Sequence, residues 1–211
     1  MTTVLLTGFG PFDGQHVNAS WEAVRRVAAD WAGPEELVTV ELPVSFRRAR
    51  QVLRESVAAV APDLVVCVGE ASGRADVRVE RVAINLIDAR IRDVDGSAPV
   101  DVPVIAGAPA AFFTSLPVRS CVEAIGAAGV AASISNTAGT YVCNATAYAL
   151  AHLLATLPGT RGGFVHVPRM PGQVADGAPS LAVDQSARAL EAVVRAALDA
   201  VVVRGPVAAP A

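Results

Sequence analysis

The stretch DLVVCVGE, Asp63 to Glu70, decides the fold. A strand wetted on one face alternates apolar and polar residues. An unbroken run from Leu64 to Val68 instead buries both faces, as the inner strands of a parallel sheet do. Working outward, SFRRARQVLRESVAAVA (45–61) has helical periodicity and stops before Pro62. Before it, ELVTVELPV (36–44) reads as a strand and NASWEAVRRVAADW (18–31) as a helix capped by Asn18 or Ser20. TVLLTGF (3–9) is a short apolar strand that ends in a glycine turn.

Downstream, VRVERVAINLIDARI (77–91) reads as extended. The Pro-, Gly- and Asp-rich segment 92–109 reads as a long excursion over the surface. A helix (118–129), a strand (130–135), a turn and alanine-rich helix (136–157), a strand (162–168) and a closing helix (178–203) complete the chain. Strands alternate with helices throughout. This predicts one α/β domain over 1–211, three-layered α/β/α with a twisted, mainly parallel sheet, and a frayed tail at 205–211. Sites in such sheets collect at the carboxyl ends of strands.

Composition narrows the function. The 211 residues are 53% hydrophobic and 18% charged, with a net charge of -3, so there is no basic footprint for nucleic acid. Residues 124–160 carry no Asp, Glu, Lys or Arg, but SISNTAGT interrupts them with polar groups that hydrocarbon would leave unpaired. The expectation is therefore no membrane span. The opening MTTVLLTGFG lacks a charged leader and a cleavage site, which predicts a cytoplasmic protein. Cys67, Cys121 and Cys143 are odd in number and widely spaced, which fits free thiols rather than a disulfide framework or a zinc site.

Cys143 stands where a glycine-bearing turn gives way to a helix. One reading is a small core hydrophobe. The other is a thiolate favoured by the positive end of the helix dipole. A nucleophilic cysteine needs a base, and the base needs an orienting group. Of the three histidines, His152 lies nine residues further along the same helix, roughly 13 Å away along the axis, and is excluded. His16 sits in a polar loop. His166, in GGFVHVPRMP, would emerge near the carboxyl end of a strand; the competing reading is a satisfied core histidine. Glu80 interrupts an apolar extended run, where a charge is costly unless paired, although Arg78 and Arg81 flank it as on a solvated strand face. TGFGPFDG lacks both the GK[ST] ending of a P-loop and the G-x-G-x-x-G spacing of a dinucleotide fold.

In four places, in order and over nearly the whole length, the chain resembles the pyroglutamyl peptidase I family of cysteine peptidases. The stretches are VLLTGFGPFDGQHVNASWEAV (4–24), CVGEASG with ERVAINLIDARI (67–91), SISNTAGTYVCNATAY (133–148) and RGGFVHVPRMP (161–171). The resemblance implies removal of an N-terminal pyroglutamyl residue from peptides through a thioester, with no cofactor and no metal. It implies Cys143 as nucleophile, His166 as base and then acid, Glu80 orienting the imidazole, and Arg90 near the oxyanion site. Phe9 and Phe12 would sandwich the lactam, with Asn18, Glu70, Ile91, Tyr141 and Val142 nearby. A homo-oligomer, dimer or tetramer, is also implied.

The chain departs from the family pattern at several positions. Glu70 stands where the family commonly has glutamine. An ionised carboxylate can accept the lactam N–H but cannot donate to its carbonyl, so Glu70→Gln is expected to raise activity at neutral pH. Arg78, Arg92, Arg169 and Met170 also depart from the pattern, and Val44 and Ser45 follow Pro43 where a threonine is common. Two alternatives stand beside the peptidase: a weakly active relative that binds or cleaves another small lactam or N-acyl compound, and a non-catalytic α/β protein in which the three site residues are structural.

Overall fold

The computed structural model describes residues 1–200; the expected frayed tail 205–211 and the end of the closing helix lie outside the described residues. Asn18 caps the first helix in extended geometry, its side-chain oxygen accepting from Ser20 N at 3.0 Å. That helix, α1, spans Ala19–Asp30, and the second, α2, spans Arg48–Val60, closing on a left-handed Ala61 just before Pro62. The strands come in the order β1 (Thr3–Phe9), β2 (Glu36–Leu42), β3 (Leu64–Ala71), β4 (Val77–Glu80), β5 (Val82–Ile84), β6 (Ala111–Phe113), β7 (Ala132–Ser135) and β8 (Arg161–Pro168). Helices α3 (Val118–Ala127), α4 (Val142–Leu154) and α5 (Val183–Asp199) complete the set.

Six strands form one sheet in the order β2-β1-β3-β8-β4-β7. The unbroken apolar run forms its inner strand β3, and Leu64 to Val68 are all fully buried. Val4, Leu6, Val66, Val165 and Val167 face α1, α3 and α5 on one side, while Leu5, Val65, Cys67 and Phe164 face α2 and α4 on the other. The layers are therefore α/β/α. α1 lies so close to β1 that a Cβ on Gly8 would meet Trp21 Cα at 2.7 Å.

All strand pairs in this sheet are parallel except β4 with β8. The connection 72–76 is too short for the crossover helix that a parallel return requires, so the chain reverses direction there. The extended reading of 77–91 resolves into two strands broken at Arg81. The second, β5, leaves the main sheet and pairs antiparallel with β6, an element the sequence did not reveal. The surface excursion is mostly exposed but anchored. Buried Asp93 accepts from Phe46 N at 2.9 Å, Asp95 N at 3.0 Å and Ser97 N at 2.8 Å. Ser45, one of the departures, is also structural: its hydroxyl donates to Asp95 at 2.6 Å and accepts from Arg48 N at 3.0 Å. No helix of the described residues is long and apolar enough to cross a membrane.

Candidate active site

Cys143 is the second residue of α4, and it follows an N-cap, Tyr141, that supplies no side-chain cap. The N–H groups of Val142, Cys143 and Asn144 consequently have no acceptor among the described residues, the first intrahelical bond coming from Ala145 N to Tyr141 O at 3.1 Å. Asn144, buried near the start of a mostly apolar helix, bolts this terminus in place. It accepts from Ile84 N at 3.0 Å and donates to Ile84 O and Leu86 O, each at 2.9 Å. Sequence reasoning assigned Asn144 nothing. The available signal was an amide in a run with no other use for one.

His166 sits at the carboxyl end of β8, in register with Gly69 on β3. A Cβ on Gly69 would stand 3.0 Å from Cys143 Sγ and 2.8 Å from Phe164 Cζ, so this glycine makes the room in which the sulfur approaches the sheet. Glu80 closes β4, the antiparallel neighbour of β8, and its Oε1 lies 2.8 Å from His166 Nδ1. Glu80 is 3% and His166 8% exposed, so neither lies on a solvated face. The arginines that flank Glu80 turn elsewhere, Arg78 to Asp76 at 3.3 Å and Arg81 to Asn136 at 3.1 Å. Glu80 Oε2 is buried without a partner among the described residues.

Cys143 lines the same cleft as His166 and Glu80. Burial is the largest influence on His166 and opposes its charge. The Cys143 sulfur and the Glu80 carboxylate together outweigh it and push His166 up to about 9. Cys67 and Cys121 differ: both are fully buried, and burial pushes both thiols up to about 12.

A cleft of about 410 Å³ opens over Cys143 and His166, walled by Phe12, Arg90, Thr140 and Tyr141. Arg90 is exposed there. Phe12 stacks near Tyr141, with ring centroids 6.4 Å apart at 29°, and Tyr141 OH donates to Arg92 O at 3.0 Å. Other expected pocket residues are placed differently. Phe9 is 2% exposed and packs on Phe164 in the core at 6.4 Å, off the cleft wall. Asn18 is committed to Ser20 and Gly10, Val142 is buried, and Ile91 is half-buried beside Arg90. His16 is exposed, and His152 packs edge-on against Phe112. No group of His, Cys, Asp and Glu among the described residues could hold a metal ion.

Glu70 requires a correction. Its carboxylate is not free for a ligand: Oε2 accepts from Ala19 N at 2.8 Å and Gln173 Nε2 at 2.7 Å, and Oε1 accepts from Arg169 Nε at 2.9 Å. Two departures from the family pattern thus form one ion pair, with the Glu70 side chain 3% exposed. Glu70→Gln is therefore expected not to raise activity but to destabilise, by about 2 kcal/mol or ~5 °C in Tm, because it strips the partly buried Arg169 of its counter-ion. A thermal melt of the purified variant checks this, and an unchanged or raised Tm would refute it. The same geometry removes the observation that favoured a different lactam or N-acyl ligand.

A thiol beside a buried imidazole, itself held by a buried carboxylate at the carboxyl end of a mainly parallel sheet, defines a cysteine-dependent hydrolase architecture. Comparison with known proteins agrees. The family model described as pyroglutamyl peptidase matches residues 2–200, and the chain belongs to that family. A pyrrolidone-carboxylate peptidase of Streptomyces coelicolor is 51% identical over 199 residues, covering 93% of this chain and 92% of the relative. The crystal structure of pyroglutamyl peptidase I from Bacillus amyloliquefaciens superposes with a TM-score of 0.91 at 43% identity, covering 94% of this chain and 96% of that one. Pyrrolidone carboxyl peptidase from Thermococcus litoralis gives 0.89 at 35% identity, covering 94% of each chain.

Proposed function

We propose that the chain is a cysteine exopeptidase that removes an N-terminal pyroglutamyl residue from peptides, with Cys143, His166 and Glu80 as its catalytic triad. The observation that carries the residue roles is the buried His166–Glu80 pair, 2.8 Å apart, in one cleft with Cys143, which sits at the uncapped N-terminus of α4. The thiolate attacks the pyroglutamyl carbonyl, and the tetrahedral oxyanion is held by the N–H groups around Cys143 together with Arg90. The imidazolium then protonates the leaving amine as the C–N bond breaks, and a thioester remains. His166 next takes a proton from water, which attacks the thioester and frees pyroglutamate and the thiol. Phe12 and Tyr141 offer an aromatic wall to the flat, uncharged lactam.

Release of a fluorescent amine from a pyroglutamyl amide in reducing buffer, beside the prolyl and glutamyl amides, tests this reading. Turnover of the pyroglutamyl compound alone is expected, and none, or turnover of all three, would overturn it. With His166 raised to about 9, its proton is retained through neutral pH and lost as pH climbs through that value, and the leaving amine then has no donor. The alkaline limb of kcat/KM should fall by one proton near pH 9, whereas a fall already complete by pH 7 would refute the assignment. Two further parts of the proposal are the cytoplasm, which three unpaired thiols fit, and a homo-oligomer. Exposed Val94, Val100, Val102 and Phe113 offer apolar surface for self-association, and sedimentation measures it.

A further inference from the structure

The cleft carries more positive charge than the proposed chemistry uses. Besides Arg90, its walls include Arg74 and Arg169, both on the side formed by the ends of β3 and β8. Arg169 commits only Nε, to Glu70 Oε1, and its two terminal amines have no partner among the described residues. The buried carboxylate therefore fixes the root of a guanidinium whose fork of donors stays free. Arg74 makes no ion pair among the described residues, and its Nε is sealed from solvent with no hydrogen-bond partner. Of the three acids on the wall, Glu80 is held by His166 and Glu70 by Arg169, Ala19 and Gln173. Of these, only the Asp88 side chain is uncommitted among the described residues, and it lies two residues from Arg90 in the sequence. The lactam is uncharged, so it has no use for two guanidinium groups.

We infer that Arg74 and Arg169 read a carboxylate on the peptide beyond the scissile bond, so that the preferred substrates are pyroglutamyl peptides with an acidic second residue or pyroglutamyl dipeptides ending in a free carboxylate. The inference rests on the pyroglutamyl-peptidase reading. A guanidinium with unspent terminal amines matches a carboxylate geometrically, and a fork fixed at its root loses little freedom on binding. Unlike a general attraction to anions, this predicts a preference confined to groups near the cleaved bond.

The test measures kcat/KM for four peptides: pyroglutamyl-alanine amide, its free acid, pyroglutamyl-glutamate amide and pyroglutamyl-lysine amide. At least one carboxylate-bearing peptide is expected to exceed the neutral amide by about tenfold, the size of one solvent-screened charge-assisted hydrogen bond, with the lysyl peptide below both. Which of the two gains distinguishes a terminal from a side-chain carboxylate. The acidic-to-neutral ratio should fall as salt rises, and it should approach one in Arg74→Gln and in the paired change Glu70→Gln with Arg169→Gln, which removes both members of the buried ion pair. Reading a ratio within each variant separates specificity from any general loss of activity, and the salt series on the unaltered protein needs no variant at all. Equal turnover of neutral and acidic peptides, or a preference that survives both changes, overturns the inference while leaving the peptidase reading intact. No turnover of any peptide overturns both.

Discussion

Cys143→Ala is expected to lower kcat/KM for a pyroglutamyl amide by at least roughly four orders of magnitude, because it deletes the proposed nucleophile that forms the thioester. The N–H groups of α4 and the cleft walls would remain, so substrate would still bind but meet no nucleophile. Folding should be nearly unaffected. Cys143 is half-buried at a helix terminus whose position is held by Asn144, and a Tm change beyond about 3 °C, or ~1 kcal/mol for a domain of this size, is not expected. The variant also separates the three thiols. At neutral pH one cysteine of the folded wild type should alkylate rapidly and none in Cys143→Ala, since Cys67 and Cys121 are fully buried with thiols pushed up to about 12. Residual turnover within tenfold of wild type would place the nucleophile elsewhere. Rapid alkylation of the folded variant would show that the other two thiols are less sealed than their burial implies.

Cys143 also shows what a sequence can and cannot disclose. Its place at a helix start was legible from the turn before it and the alanine-rich run after it, and β3 was legible from its unbroken apolar run. Neither pattern brings residues 80, 143 and 166 together. Periodicity is local, and these three converge only because β4 inserts beside β8, a neighbour encoded far along the chain. Stretches that resemble a known family implied that convergence. The direction of β4 was hidden for a related reason: Val77 and Val79 face the core whichever way the strand runs, so alternation carries no sign. β6 was hidden because Ala-Phe-Phe is too short to show a period. The Glu70–Arg169 pair illustrates the same limit. Each residue stood out alone as a departure, and their 99-residue separation concealed that each answers the other. Phe9 received a place at the lactam from resemblance alone, and its ring is buried against Phe164.

Glu80→Gln tests the remaining member of the proposed triad. The change is nearly isosteric, and Glu80 Oε2 already lies buried without a partner among the described residues, so the amide adds little new desolvation and the fold should hold. What changes is the imidazole. If the amide turns its NH2 toward Nδ1, that nitrogen must accept, the ring proton moves to Nε2, and His166 cannot take a proton from Cys143. If it turns its oxygen inward, the tautomer survives but the negative charge that stabilises the imidazolium is gone. Either way kcat should fall by roughly 10² to 10⁴, with KM changed far less because the carboxylate acts through His166. The pH profile gives an independent sign. Glu80 is one of the groups that raise His166 to about 9, and burial, the largest single influence, pulls the other way. Removing the carboxylate leaves that pull less opposed, so the alkaline limb should move to lower pH in the variant, a shift that a merely structural carboxylate would not produce. A kcat within threefold of wild type, with the limb still near 9, would reduce Glu80 to a packing partner and leave Cys143 and His166 to act as a dyad.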